Sequence, residues 1–372
     1  MKKVSVYTRS GRTSPSSYYR IMQYEKDLPC EISERIVVPD RIYAAYNAAG
    51  GLKKQWHRFR FYVVAYCRVL RFLSSDIRKK PDTIFVSRAI MPRICPPPLG
   101  LLMKKAFSVA GTVIWDVDDD IFQAREITEK EKTLLLQFAD DIPVVNQHLK
   151  TLLPPEKRER AIYLPTTDGD FQDENLSLLY KSREERYQNG EIELLWLATH
   201  TGLPFLRDIV PYLDAAAEQI LQKNGKQLVL SVVCSKPLNT QTRHLKIDNV
   251  VWSKEVAAEK IKRAHIGIMP LHNTTHSLSK GGFKLLQYMA VGLPNISSAV
   301  GSANEIVTHG VNGMLVFDED LTQWTAAVVE LASSWDKMLE MGKMARQRWD
   351  EAYSYKSNLK ILSDLLTEDD EK

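Results

Sequence analysis

The chain has 372 residues, 44% hydrophobic and 26% charged, with a formal net charge of +4. That length suits two domains of ordinary size, and that composition is too apolar for a disordered chain. No apolar run reaches the roughly 18 residues of a membrane span, and four scattered cysteines without a CxxC pair argue against a disulfide framework or a metal site. The start, MKKVSVYTRSGRT, enters a strand-like alternation with no apolar stretch of leader length, so a cytoplasmic, reducing location is expected.

Residues 4–8 read as a buried first strand, followed by the polar turn SGRTSPSS and a helix over about 17–27. Further short strands are expected at 36–39, 82–87, 112–117, 141–145 and 161–164, with helical stretches between them. Residues 166–191 are polar and read as a linker centred on 170–190. The pattern restarts at 194–199 and continues with strands at 227–234, 250–252, 266–270, 295–298 and 313–317. Helices fall at 205–222 and 254–263, and the chain from about 323 is helical with a charged tail. Strands alternating with helices predict parallel sheets covered on both faces. The fold class is α/β, with a first Rossmann-like, doubly wound domain over 1–175, a second over 190–350, and a terminal helix and tail over 351–372. Ligands in such sheets bind beyond the carboxyl ends of the strands. Neither half has GxGxxG after its first strand and no GxxxxGK[ST] occurs, which disfavours a dehydrogenase and a P-loop nucleotidase.

The most informative segment is 280–316, KGGFKLLQYMAVGLPNISSAVGSANEIVTHGVNGMLV. Gly281 and Gly282 allow close backbone approach, and the run Phe283, Leu285, Leu286, Met289 starts a helix directly after them. A helix start presents unpaired N–H groups and partial positive charge, to which Lys280 and Lys284 add formal charge. A diphosphate fits such a place; a plain glycine loop is the alternative.

Lys280, residues 282–284 and 287–290, Gly292, Pro294, Asn304, Glu305 and residues 310–313 together resemble the C-terminal signature of the retaining group 1 glycosyltransferases of GT-B architecture. The resemblance is strongest over 265–316 and looser before 190. It implies two Rossmann-like domains facing across a cleft, with a terminal helix returning to the first. It also implies a nucleotide-sugar-dependent hexosyltransferase, with retention, serving surface-polysaccharide or glycolipid assembly. The UDP- or GDP-linked donor is then a substrate, the acceptor is a glycan or lipid-linked, and no cofactor, metal or nucleic acid is required. A sugar-nucleotide epimerase and a catalytically silent nucleotide-binding or scaffold protein are the alternatives.

Leaving-group stabilisation falls to Lys280, Lys284 and the backbone of Gly281, Gly282 and Phe283. The family sets two glutamates about this helix, and their positions hold Ser279 and Gln287 here. Gln287 retains hydrogen-bonding capacity for a ribose diol, whereas Ser279 supplies no carboxylate. Arg207 stands in a loop-helix region where relatives place basic residues, and Thr199 follows the first strand of the second domain. In WDVDDDIF, Asp118 and Asp119 lie at the end of a strand, where carboxylates contact a sugar or acceptor, cap a helix or bind a hard cation. By resemblance Asp118 falls near a histidine of many relatives. Gly11 permits a tight first turn, and that loop in GT-B enzymes reaches the diphosphate and acceptor, which brings in Arg20. His265 reads as structural.

Residues 52–80 mix Lys53, Lys54, Arg58, Arg60, Arg68 and Arg71 with Trp56, Phe59, Tyr62, Val63 and Tyr66 at helical spacing. One face of that helix can bury while another stays basic, so peripheral contact with an anionic membrane is expected, with a core helix of basic outer face as the alternative.

Overall fold

A computed structural model describes residues 1–122, 126–317 and 320–367. The chain divides into two compact units, Met1–Thr166 with Asn358–Lys372, and Thr167–Ser357.

The first unit holds β1 (Lys3–Thr8), β2 (Glu31–Ile36), β3 (Thr83–Ser87), β4 (Thr112–Asp116), β5 (Ile142–Val144) and β6 (Ala161–Tyr163). All pairings are parallel, in the order β2-β1-β3-β4 with β5-β6 as a pair. Bridges Ile114↔Asp141 and Val117↔Val144 set β5 beside β4. Strands β3 and β4 read TIFVS and TVIWD, near-continuous apolar runs, because helices cover both faces of a parallel sheet. The helix Gly51–Lys79 buries Phe61, Ala65, Val69 and Leu73, one side chain per turn, and ends on buried Asp76. Asp76 accepts from Ser5 Oγ at 3.0 Å, Tyr7 Oη at 2.5 Å and Arg35 Nη2 at 2.5 Å.

The strand expected at 36–39 begins earlier, at Glu31. As an edge strand β2 keeps polar side chains half-buried, so its sequence shows no apolar run, while Val37 and Val38 continue to donate to the Thr8 and Arg9 carbonyls. The helix expected over 17–27 is Pro15–Arg20 followed by a 3₁₀ turn, Met22–Tyr24.

The second unit holds β7 (Glu191–Leu197), β8 (Gln227–Cys234), β9 (Lys246–Val251), β10 (Ile266–Met269), β11 (Asn295–Ser298) and β12 (Met314–Val316). They form one six-stranded parallel sheet in the order β12-β11-β10-β7-β8-β9. The winding reverses between β7 and β10, which makes their carboxyl ends the switch point where open α/β sheets bind ligands.

The segment read as a linker is structured. Residues 170–190 include the helix Leu176–Gln188, and the second unit therefore begins at Thr167, not 190. This helix is polar along most of its length and is tied down by one charged residue. Arg183 is 2% exposed, and its guanidinium donates to the carbonyls of Ile261, Lys262, Val291 and Gly292 at 3.4, 2.9, 3.0 and 3.1 Å. Those carbonyls end two helices, Lys254–Arg263 and Phe283–Ala290, where backbone groups lack intrahelical partners and carry partial negative charge. Burial lowers the Arg183 pKa to about 10. At the other end, residues 351–357 belong to the second unit, since Trp349 is buried with Nε1 donating to Thr167 Oγ1 at 3.1 Å.

Replacing Arg183 by Met removes these hydrogen bonds and leaves buried carbonyls unsatisfied. The expected loss is about 3 kcal/mol, read as a lower urea midpoint. An unchanged midpoint would show that the guanidinium does not hold the two helix ends.

Candidate functional site

At the switch point β10 runs into a loop in which Leu271 N donates to Ser298 Oγ at 2.9 Å. A short helix, Thr275–Leu278, follows with Thr274 as its cap, and the chain then reaches Ser279, Lys280, Gly281 and Gly282. Ser302 Oγ donates to the Lys280 carbonyl at 2.6 Å, fixing the turn to the loop after β11. Gly282 has φ +68°, a left-handed conformation, and an added Cβ would collide with Ile306 Cδ1 and lie 3.3 Å from Ser302 Cβ. The helix Phe283–Ala290 starts from that glycine with no side-chain cap. Its inner face, Leu285, Leu286, Tyr288, Met289 and Ala290, is fully buried. A Cβ on Gly267 of β10 would enter the Tyr288 ring, so that glycine sets how closely helix and strand approach.

Lys284 is half-buried, with Nζ 3.2 Å from Gln287 Oε1 and 5.1 Å from the centre of the Phe283 ring. Burial brings its pKa down to about 8, against the opposing pull of Asp168. Gln287 Nε2 in turn donates to Asp168 Oδ2 at 2.7 Å. Asp168 is buried; burial raises its pKa, and the Gln287 hydrogen bond opposes the rise. Lys284, Gln287 and Asp168 thus form a chain in which each end of the Gln287 amide already has one partner. The amide keeps one N–H and one lone pair for a ribose hydroxyl. Ser279 is buried with Oγ donating to the Thr275 carbonyl at 3.1 Å, which closes the short helix. Asp168 was not singled out from the sequence. Its TTDGD context looks like the start of a linker, and nothing local signals contact with a residue 119 positions away.

After β7, Thr199 is exposed and shares a hydrogen bond with Thr201 at 2.7 Å, and Arg207 is exposed on the helix Leu203–Asn224. The same helix is joined to the loop after β10 by Asp208, 3.0 Å from His272 Nε2, and by Phe205, whose ring lies 4.8 Å from that of His272. Thr199, Arg207, Lys280, Gly281, Gly282, Phe283, Lys284 and Gln287 therefore all follow the two strands at the switch point. His265 is buried: Nδ1 accepts from Glu193 N at 2.9 Å and Nε2 lies 3.0 Å from the Arg183 carbonyl. Burial lowers its pKa to about 4, so it is neutral and structural.

In the first unit three residues singled out from the sequence are engaged by other side chains or backbone groups. Arg20 is buried: Nε and Nη2 grip Asp116, and Nη1 reaches the Leu164 carbonyl and, at 3.4 Å, Thr166 Oγ1. Its charge is consumed in tying the segment after β1 to the ends of β4 and β6. Asp118 is held by both Nε and Nη2 of Arg88, the latter at 2.9 Å. Burial works to raise the Asp118 pKa, but the charge and hydrogen bonds of Arg88 carry it below the usual carboxylate value, so it is a poor proton acceptor. The N–H of Gly11 is occupied by Asp40 Oδ1 at 2.7 Å, and that carboxylate leaves no space for a Cβ. Asp119 is more exposed; Oδ1 accepts from Asp120 N at 3.0 Å and Oδ2 lies 3.8 Å from Arg88. Arg88, which the sequence reading passed over, has φ +63° and links Asp118 to Glu126, which Arg9 also binds at 2.5 Å. Among the described residues no group of three His, Cys, Asp or Glu side chains is arranged to hold a metal ion.

The chain is similar to several known proteins. Residues 202–334 match the family model "Glycosyl transferases group 1". Over 81 residues the chain is 32% identical to the D-inositol 3-phosphate glycosyltransferase of Thermobispora bispora; the match spans 22% of this chain and only 18% of that relative. The structure of HepE from Anabaena, solved with UDP and glucose, has a TM-score of 0.62 at 13% identity and covers 98% of this chain and 99% of its own. WaaG, a glycosyltransferase involved in lipopolysaccharide biosynthesis, has a TM-score of 0.55 at 12% identity, covering 98% and 100%. The fold is GT-B, built from two Rossmann-like parallel-sheet units. Within it, the stretch that matches the group 1 family model lies in the second unit and includes the uncapped helix start and Lys284.

Two outcomes follow from the turn. Gly282→Ala forces a left-handed alanine against Ile306 and is expected to cost about 1–3 kcal/mol, measured by thermal unfolding; an unchanged melting temperature would mean that the turn can relax. Lys284 has a folded pKa near 8, below its unfolded value. Between about pH 8 and pH 10 the unfolded chain therefore binds more protons, and this residue makes stability rise with pH. The change in urea midpoint from about pH 7 to pH 9.5 should be more positive in the wild type than in Lys284→Met; an equal change in both would contradict the depressed pKa.

Proposed function

We propose that this chain is a nucleotide-sugar-dependent glycosyltransferase. It moves a hexose from a UDP- or GDP-linked donor to a glycan or lipid-linked acceptor, with retention, in surface-polysaccharide or glycolipid assembly at the cytoplasmic face of a membrane. One observation carries the reading: an uncapped helix start behind left-handed Gly282, with Lys284 on its first turn, follows the switch-point strand of a domain matching the group 1 family. The HepE complex with UDP and glucose, on the same fold, supports a UDP-linked donor, and WaaG supports a role in surface-glycan assembly.

The donor is a substrate, and no further cofactor is assigned. Its pyrophosphate lies against the N–H groups at the start of Phe283–Ala290, and Lys284 neutralises the charge that grows as the glycosidic bond breaks. The acceptor hydroxyl attacks the anomeric carbon on the face the diphosphate leaves. A new C–O bond forms, the bond to the phosphate oxygen breaks, and the hydroxyl proton passes to a leaving-group oxygen. This route needs no side-chain base, in keeping with Asp118 being held by Arg88. Lys280, Thr199 and Arg207 complete the polar surroundings of the donor, and Gln287 offers its remaining N–H and lone pair to the ribose. A silent nucleotide-binding protein is the second reading, favoured by the engagement of Gln287 with Asp168 and Lys284.

A panel of nucleotide sugars tested by thermal shift identifies the donor, since a ligand at 100 times its Kd stabilises by about 2.7 kcal/mol. With that donor, Lys284→Ala should lower turnover about 100-fold or more while the protein stays folded. Wild-type turnover in the variant removes Lys284 from the mechanism, and donor binding without any transfer or hydrolysis selects the second reading.

A further inference from the structure

The helix Gly51–Lys79 presents an apolar stripe to solvent. Leu52, Trp56, Phe59 and Val63 are 91%, 63%, 61% and 44% exposed. Steps of four, three and four residues put them on one face, over roughly 16 Å of helix axis. Phe61, Ala65, Val69 and Leu73 are buried on another side, so the exposed stripe is not the edge of the core contact. The Trp56 and Phe59 rings stack with centroids 5.9 Å apart.

A second row runs beside the first. Lys53, Arg60, Arg71 and Arg78 recur at steps of seven, eleven and seven, which return to the same azimuth within about 20°. Among the described residues none of these four is ion-paired. The one carboxylate in the helix, Asp76, is buried and bound to Arg35. The apolar stripe therefore has a flank of a single sign, positive, with nothing on the helix surface to neutralise it.

We infer that this face docks on a bilayer containing anionic phospholipids, with Trp56 and Phe59 entering the boundary between headgroups and acyl chains and the four cations meeting lipid phosphates. Charge complementarity selects this occupant: a uniformly basic flank next to exposed aromatic rings matches a surface of phosphates above hydrocarbon. The helix lies on the surface and does not cross it; among the described residues no helix is long and apolar enough to span a membrane. The inference rests on the membrane-side part of the function proposed above, and needs none of its donor chemistry.

The test uses the full chain and flotation with two vesicle preparations, phosphatidylcholine alone and phosphatidylcholine mixed equally with phosphatidylglycerol. The wild type should float with the mixed vesicles and not with the neutral ones, and raising salt to about 1 M should release it as the Debye length falls to about 3 Å. Trp56→Ser with Phe59→Ser should lower partition more than tenfold, because each ring loses its burial in the bilayer. Arg60→Gln should lower it about fivefold, the equivalent of about 1 kcal/mol per cation. UDP binding, measured on the same samples, should be unchanged in both variants, which shows that they are folded. Failure of the wild type to float, equal flotation of the double variant, or a wild-type dimer in sedimentation that the double variant abolishes overturns the inference. Wild-type protein that floats without binding any nucleotide would overturn the proposed function and leave the docking surface standing.

Discussion

The second unit depends on one buried cation. Among the described residues Arg183 has no carboxylate partner; four carbonyls at the ends of two helices take its place. A buried charge is costly unless paired, and the partial charges of helix C-termini are the pairing this fold supplies. The consequence reaches the site, because the helix held at its C-terminal end by Arg183 is the one whose N-terminal end follows Gly282. With Gly267 beneath Tyr288 and Ser302 on the Lys280 carbonyl, that helix is fixed from behind, from below and at its entrance. Its N-terminal N–H groups are held in place by contacts within this unit.

The first unit uses charge in another way. Beyond the carboxyl ends of β1, β3 and β4, Arg9, Arg88 and Asp118 form a charge network with Glu126 of the following loop, and Arg20 pairs with Asp116, two residues before Asp118. Arg88 and Arg93 both take left-handed backbone conformations that a non-glycine residue adopts at a cost. Between them Glu131 accepts from Ile90 N at 2.6 Å and Met91 N at 3.3 Å, and burial raises its pKa to about 8. A strained turn stapled by a buried carboxyl group is stiff, and it holds Arg88 where it can grip Asp118.

Much of the architecture was legible because parallel strands buried on both faces leave short apolar runs. TIFVS, TVIWD and QLVLSVVC each fall on a strand. What escaped notice lacked that signature. Strand β2 lies at an edge and reads EISERI, and Leu176–Gln188 is polar because it is anchored by Arg183 and Tyr187 instead of a hydrophobic stripe. The glycine turn and its lysines were readable from local pattern, since a left-handed residue and a helix start are local events. Asp168, the grip of Arg88 on Asp118, and the burial of Arg20 are long-range pairings with no local trace. A carboxylate at the end of a strand looks the same in sequence whether it faces a ligand or an arginine.

These two distributions of charge bear on the chemistry each unit can support. In the first unit the carboxylates at the strand ends are matched by arginines, so a strong general base is not what the fold keeps ready there. In the second unit the emphasis is reversed: Lys284 is dehydrated until its pKa falls to about 8, and its partner Gln287 is neutral. A lysine in that condition is stabilised by an incoming anion more than a solvated lysine would be, because the anion restores what burial took away. In the proposed reaction the gain is largest when the anion carries most charge, as the diphosphate separates from the sugar. In the proposed reaction, a poorly compensated cation beside an uncapped helix start favours departure of the leaving group. That emphasis agrees with the proposed reaction, in which the leaving phosphate itself removes the acceptor proton.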